Sequence, residues 1–261
     1  MSEALSWRIA DGVATVTLDR PEQHNAFDDG LMRALTARFR ALAADVGVRV
    51  IVLAAAGKSF SAGADLGWMQ RVAGYSEAEN LADAGLLGDM LEAIHGAPQP
   101  VVARVQGAAF GGGVGLVAAC DIALGTERAS FCLSEVKLGL VPAMISPYLI
   151  QRIGPGAARR YSLSAERFDA ATALRVGLLA EVYPDEAALD AALSALCAQL
   201  AKNGPAALAA CKSLYDAVAG APARLREETQ RRIAEIRVST EGQEGLAAFL
   251  AKRPPKWQED R

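Results

Sequence analysis

The chain has 261 residues, with 27 Lys and Arg against 30 Asp and Glu and a formal net charge of −3. At 52% hydrophobic and 22% charged residues, it has the make-up of a globular protein with a large core rather than a disordered one. Its acidic balance gives no bulk attraction to nucleic acid or anionic membrane, and no apolar run is long enough to span a bilayer.

The opening Met-Ser-Glu-Ala-Leu-Ser-Trp lacks the basic and apolar regions of a signal peptide. Cys120, Cys132, Cys197 and Cys211 sit in apolar contexts without metal-ligand spacing, so buried free thiols in a reducing cytoplasm are expected. No metal site is expected.

Along the first half, strand-like and helix-like segments alternate. Val13–Leu18 is β-branched and stops at Asp-Arg-Pro, because proline cannot donate to a ladder. Asp28 to Ala44 carries Leu31, Leu35, Phe39 and Leu42 at a helical period. A strand is expected over Val48–Leu53, a helix from Ala78 to His95, a strand over Val101–Val105, and short strands around Ile122 and Phe131. Such alternation implies an α/β core with parallel sheet.

From about Ala187 the pattern turns to Ala- and Leu-rich helices: one through Leu189, Leu193 and Leu196, then Ala206–Val218, Leu225–Val238 and Gly242–Lys252. Pro205 stands just inside one start and Gly220 just past an end. The chain thus divides into a core over 1–186 and a helical region over 187–261.

Two glycine-bearing turns carry the chemical signal. In residues 104–116, Arg-Val-Gln-Gly-Ala-Ala-Phe-Gly-Gly-Gly-Val-Gly-Leu, three glycines open an apolar helix. Glycine at a helix start costs backbone entropy and buries nothing, so packing gives no reason for three of them. What they permit is close approach of a ligand to free N–H groups at the positive end of a helix, a site for an oxygen that gains charge. Residues 58–66, Lys-Ser-Phe-Ser-Ala-Gly-Ala-Asp-Leu, also follow a buried-looking strand and use small residues where an amide is to be presented.

Phe-Ser-Ala-Gly-Ala-Asp and Gly-Ala-Ala-Phe-Gly-Gly-Gly together resemble the crotonase (enoyl-CoA hydratase/isomerase) superfamily. The resemblance continues through Arg20-Pro21, Asn25-Ala26-Phe27, Cys120-Asp121-Ile122-Ala123, Phe131 to Pro142, Gly177-Leu178-Leu179 and Ala-Ala-Phe-Leu-Ala-Lys-Arg-Pro-Pro. It implies a right-handed ββα superhelix for the core and a C-terminal trimerisation domain, giving a homotrimer that stacks as a dimer of trimers. No tightly bound cofactor is implied; coenzyme A belongs to an acyl-CoA thioester substrate.

The resemblance also assigns roles. The backbone N–H groups of Ala64 and Gly112 would form an oxyanion hole for the thioester carbonyl, with Ala62, Gly63, Asp65, Leu66, Phe110 and Pro142 around the substrate. Glu135 matches the second catalytic glutamate, and its apolar neighbours are expected to desolvate it and raise its pKa. Ser134 is expected to cap its turn. Without the family, Glu135 reads equally well as a first-turn glutamate favouring the helix dipole or pairing with Lys137. Arg20, His24, Ala26 and Lys58 match positions lining coenzyme A, and Phe249 and Lys252 match C-terminal residues that reach it, often from an adjoining subunit.

One position departs from the two-glutamate pattern. Gly-Gly-Gly-Val-Gly puts Gly115 where the first catalytic glutamate stands, which is expected to open room beside the acyl chain. The segment Leu133–Tyr148 resembles bacterial methylglutaconyl-CoA and isohexenylglutaconyl-CoA hydratases, a group with glycine at that position. Hydration of a branched or carboxylated 2-enoyl-CoA is therefore expected. The alternatives are a Δ3,Δ2-enoyl-CoA isomerase, in which one glutamate moves a proton between Cγ and Cα, and a catalytically silent CoA- or RNA-binding scaffold.

Overall fold

A computed structural model describes residues 4–219 and 226–255. The chain opens as a hairpin, β1 (Leu5–Ala10) with β2 (Val13–Leu18), paired antiparallel. Asp11 and Gly12 both take positive φ (50° and 76°), the backbone a two-residue hairpin turn needs to match strand twist. A 3₁₀ turn (Pro21–Gln23) leads into α1 (Asp29–Ala43), whose first turn is capped by Asp28 accepting from the Leu31 N–H.

Three ββα units follow. β3 (Val50–Ala55) and β4 (Ser59–Ser61) lead into α2 (Leu66–Val72) and α3 (Glu77–His95); β5 (Val101–Val105) and β6 (Ala108–Phe110) lead into α4 (Gly112–Ala119). β7 (Ile122–Thr126) and β8 (Ser130–Cys132) lead through a 3₁₀ turn (Glu135–Leu138) into α5 (Ser146–Ser164), which is interrupted at Gly154-Pro155. In each unit the first strand joins one sheet and the second strand joins another. The six-stranded sheet has the order β1-β2-β3-β5-β7-β10, and the four-stranded sheet has the order β4-β6-β8-β9, with β9 at Phe168–Asp169 and β10 at Glu181–Tyr183. β2, β3, β5, β7 and β10 run parallel, and β3 is buried along its whole length. This is why its sequence reads as a continuous apolar run rather than an alternation.

Both faces of the larger sheet are covered. Phe39, Ile51, Leu53, Val101, Ala103 and Leu91 belong to the main core, while Val50, Val52, Val102 and Leu124 pack under Leu189 and Cys197 of α7 (Glu186–Ala201). α6 (Ala170–Val176) precedes α7, and α8 (Pro205–Ala219), α9 (Arg226–Val238) and α10 (Thr240–Leu250) follow. The expected strands and helices are present to within a few residues, and Pro205 opens α8. Leu225 and Gly220 lie outside the described residues. β8 is the short strand expected around Phe131, whereas β1, β4, β6, β9, β10 and the helices α2, α5 and α6 are additions to the sequence reading.

Two smaller expectations are corrected. Ser134 makes no capping hydrogen bond, because it takes φ −90°, ψ 0° rather than the extended backbone of a helix cap. Cys211 is exposed on α8, whereas Cys120, Cys132 and Cys197 are buried, and all four are free thiols. No described helix is long and apolar enough to cross a membrane.

α10 lies hard against the turn that carries Glu135. A Cβ at Gly245 would overlap the Leu138 carbonyl and stand 2.9 Å from the Gly139 nitrogen. Replacing Gly245 with alanine should therefore push helix and turn apart, at about 1–3 kcal/mol, as overpacking does. A thermal melt should show a transition several degrees lower; an unchanged melt would show that the contact is not tight.

Candidate active site

The site forms where the two glycine-bearing turns meet. Asn25 folds the chain ahead of the first: its Nδ2 donates to the Ala56 and Ser59 carbonyls (2.8 and 2.9 Å), and its Oδ1 accepts from the Arg20 N–H (2.9 Å). The Ser61 hydroxyl donates to the Asn25 carbonyl (2.9 Å) and accepts from the Gly63 N–H (3.1 Å). The Phe27 N–H donates to the Gly63 carbonyl (2.8 Å), and the Asp65 N–H donates to the Phe27 carbonyl (3.0 Å). This bracket holds Ala64 on both sides and leaves its own N–H without an acceptor among the described residues.

Gly112 supplies the second amide. It is the first residue of α4, where an N–H has no carbonyl four residues back to meet. Gly63 has φ +84°, and a Cβ there would stand 3.3 Å from the Gly112 nitrogen, so the two turns touch. A Cβ at Gly112 would itself overlap the Phe27 ring.

Glu135 stands beside them. A Cβ at Gly111 would lie 3.3 Å from Glu135 Oε1. Glu135 Oε2 is buried without a hydrogen-bond partner, and burial pushes the carboxyl up to about 7 from its usual 4.5, against a small opposing pull from its own backbone. No ion pair with Lys137 forms among the described residues. A carboxyl poised near neutrality both accepts and returns a proton with little driving-force loss.

These groups line one cavity of about 780 Å³. Of the residues expected from sequence, His24, Ala26, Ala62, Ala64, Asp65, Leu66, Gly112, Glu135, Pro142 and Phe249 line it. Arg20, Lys58, Gly63, Phe110, Gly115 and Lys252 do not. Arg20 is held by Asp28 (3.0 Å), Asp65 (3.7 Å) and the Ala26 carbonyl (3.2 Å), so its guanidinium fixes the turn. Phe110 lies under Arg167, whose Cζ is 4.6 Å from the ring centroid. His24 takes φ 50° and reaches the Ser59 hydroxyl (3.0 Å), while Lys58 and Lys252 are exposed.

Gly115 overturns one expectation. A Cβ there would overlap Ile145 Cγ2 and stand 2.8 Å from Ile145 Cβ. The space opened by the missing side chain is filled by Ile145, which itself lines the cavity. Trp68, Met69, Val72, Ile233, Arg237 and Leu246 also line it, and the sequence reading gave none of them a role. Trp68 and Met69 follow the first glycine turn directly, so proximity was a usable signal for them. For the α9 and α10 residues, local sequence held none. Among the described residues no group of three His, Cys, Asp or Glu is placed to hold a metal ion.

The raised Glu135 carboxyl makes a stability prediction. Its folded pKa lies above the ordinary value, so the stability it contributes is full below about pH 4.5 and is lost as pH rises through about 7. Glu135→Gln removes that loss. The variant and the wild type should melt alike near pH 4.5. At pH 8 the variant should melt several degrees higher, from a difference on the order of 3 kcal/mol. Equal melts at both pH values would mean that the carboxyl is not desolvated.

The enoyl-CoA hydratase/isomerase family model matches residues 8–260. The chain is 36% identical over 251 residues to an enoyl-CoA hydratase of Alternaria alternata, covering 95% of this chain and 82% of that one. It is 32% identical over 249 residues to the 2,3-dehydroadipyl-CoA hydratase of Escherichia coli, covering 94% and 95%. The crystal structure of an enoyl-CoA hydratase from Shewanella pealeana superposes with a TM-score of 0.80 at 44% identity, covering 97% and 96%. With its two sheets, its paired glycine turns and these likenesses across nearly its full length, the chain belongs to the enoyl-CoA hydratase/isomerase family, the crotonase superfamily of enzymes.

Proposed function

We propose that the protein hydrates a 2-enoyl-CoA thioester with Glu135 as its one catalytic carboxylate. The observation that carries this reading is the unpartnered, buried Glu135 Oε2, in a cavity also lined by Ala64 and Gly112. The thioester oxygen accepts from the two N–H groups and becomes an enolate oxygen there. Ionised Glu135 takes a proton from water as the water oxygen bonds to Cβ. The protonated carboxyl then returns that proton to Cα, so one group closes the cycle.

The coenzyme A part is assigned to the mouth around His24, Ala26 and Phe249, with the exposed Lys58 and Lys252 for its phosphates. A branched or carboxylated acyl group, of methylglutaconyl type, is the favoured substrate; the Escherichia coli relative is named for a carboxylated enoyl thioester. We place the enzyme in the cytoplasm as a homotrimer, two of them stacked. Leu163, Leu174, Leu214 and Tyr215 are exposed apolar side chains that such contacts would cover.

A second reading, Δ3,Δ2-enoyl-CoA isomerisation, is favoured by the filled space at Gly115: one base and no second carboxylate suits a proton passed between Cα and Cγ. The assay is loss of enoyl-thioester absorbance with 3-methylglutaconyl-CoA and crotonyl-CoA, against the appearance of conjugation from a 3-enoyl-CoA. Hydration of the glutaconyl thioester should be fastest. Glu135→Gln should lower turnover on the order of a hundredfold or more. Faster isomerisation than any hydration would replace the first reading by the second.

Ile145 sets a further expectation for the one-glutamate mechanism. Gly115→Glu alone should destabilise the fold and lower activity, because its Cβ meets Ile145. Gly115→Glu with Ile145→Gly should recover the melting temperature. A single variant as stable as the wild type would mean that Ile145 does not fill that space.

A further inference from the structure

Cavity walls contributed by α2, α3 and α9 are apolar, through Met69, Val72, Leu87 and Ile233, with one buried exception. Arg237 of α9 is 7% exposed and lines the cavity. Its Nη1 donates to Asp83 Oδ2 of α3 at 3.1 Å, while Asp83 Oδ1 accepts from Trp68 Nε1 of α2 at 3.1 Å. Arg237 Cζ lies 5.1 Å from the Trp68 ring centroid. Asp83 is not part of the cavity lining, so the carboxylate stands behind and the cation in front.

Stability alone is a weak reason for this arrangement. Desolvating two charges costs several kcal/mol each, and an apolar pair of similar volume commonly serves a fold as well or better. Burial also pulls the Arg237 guanidinium down, with Asp83 opposing. A guanidinium has five N–H donors in a planar fork, and no described residue accepts from Arg237 Nη2 or Nε. Both oxygens of Asp83, by contrast, are taken. What the wall still offers is a fork of donors with positive charge, the shape that grips a carboxylate.

We propose that Arg237 reads a carboxylate on the acyl chain, with Asp83 and Trp68 as positioning residues, so that the site selects thioesters of dicarboxylic acids. This rests on the assignment of the cavity to an acyl-CoA. In a low-dielectric wall the same fork disfavours a purely alkyl chain, because such a chain leaves the donors dry and unpaired.

Binding of saturated thioesters, which cannot be hydrated, tests the reader apart from the reaction. Glutaryl-CoA is compared with pentanoyl-CoA and adipyl-CoA with hexanoyl-CoA by calorimetry, using the full-length wild type, R237K, and D83N/R237Q. The double variant leaves no buried charge without its partner; R237K keeps the charge and loses the fork, and serves if the double variant does not fold.

The wild type should bind the carboxylated member of at least one pair about tenfold or more tightly. That ratio should fall severalfold in R237K and approach one in the double variant. A wild-type ratio at or below one for both pairs would overturn the proposal. So would a ratio that survives in the variants, or a methyl ester of the preferred diacid thioester that binds as tightly as the acid. Preference in binding without hydration of any 2-enoyl-CoA would sink the hydratase reading and leave the reader standing; hydration without preference would do the reverse.

Discussion

The Gly63 turn and the first turn of α4 are in contact: a Cβ at Gly63 would stand 2.7 Å from the Phe110 carbonyl and 3.3 Å from the Gly112 nitrogen. Two amides can address one oxygen only if the segments that carry them approach as closely as bare backbone allows. β4 and β6 enforce that approach, because they are parallel neighbours in the smaller sheet and each hands directly into its turn. The φ of +84° at Gly63 is open to glycine at little cost and strained for other residues. The oxyanion hole proposed here would thus be a consequence of strand pairing, with no side chain needed to make it. Being preorganised, it costs no rearrangement when charge appears on the oxygen.

Glu135 depends on the same contact. β8 pairs with β6 and delivers the 3₁₀ turn to the Gly111 side of α4, where the carboxyl enters a wall of small residues and aliphatic side chains. A carboxyl with one oxygen buried and unpartnered is unfavourable when ionised, and the fold bears that cost instead of relieving it with Lys137, which remains exposed. A carboxyl held near pH 7 can serve as base and then as acid, which is what the proposed one-glutamate reaction asks of Glu135.

Local sequence made the chemistry legible and the shape of the pocket much less so. The β-branched runs, the Asp28 cap and the three glycines act within a few residues of themselves, so the main strands, α1 and the start of α4 were readable from neighbours. Asp11-Gly12 is a readable hairpin signal as well, although β1 is exposed along nearly its whole length and shows no clean alternation. Gly115 gave the opposite lesson. A glycine in sequence looks like empty space, but whether it is depends on what packs from elsewhere, and Ile145 comes from the start of a different helix. Arg237 was hidden for the same reason: its partners Asp83 and Trp68 lie more than 150 residues away, and α9 alone reads as a charged surface helix.

These two kinds of residue divide the work of the site. The amides and Glu135 come from turns that directly follow β4, β6 and β8, whose positions are fixed by the hydrogen-bond ladders of the smaller sheet. Much of the rest of the cavity wall comes from α2, α3, α9 and α10, where Asp83 meets Arg237 through side chains and the bare backbone of Gly245 packs against the Leu138 carbonyl. Side-chain contacts can be exchanged without moving a strand, whereas a shift in strand register would take both amides with it. On the proposed reading of the site, a change of acyl preference needs only new side chains on the helices, and the turns can keep one chemistry while it happens.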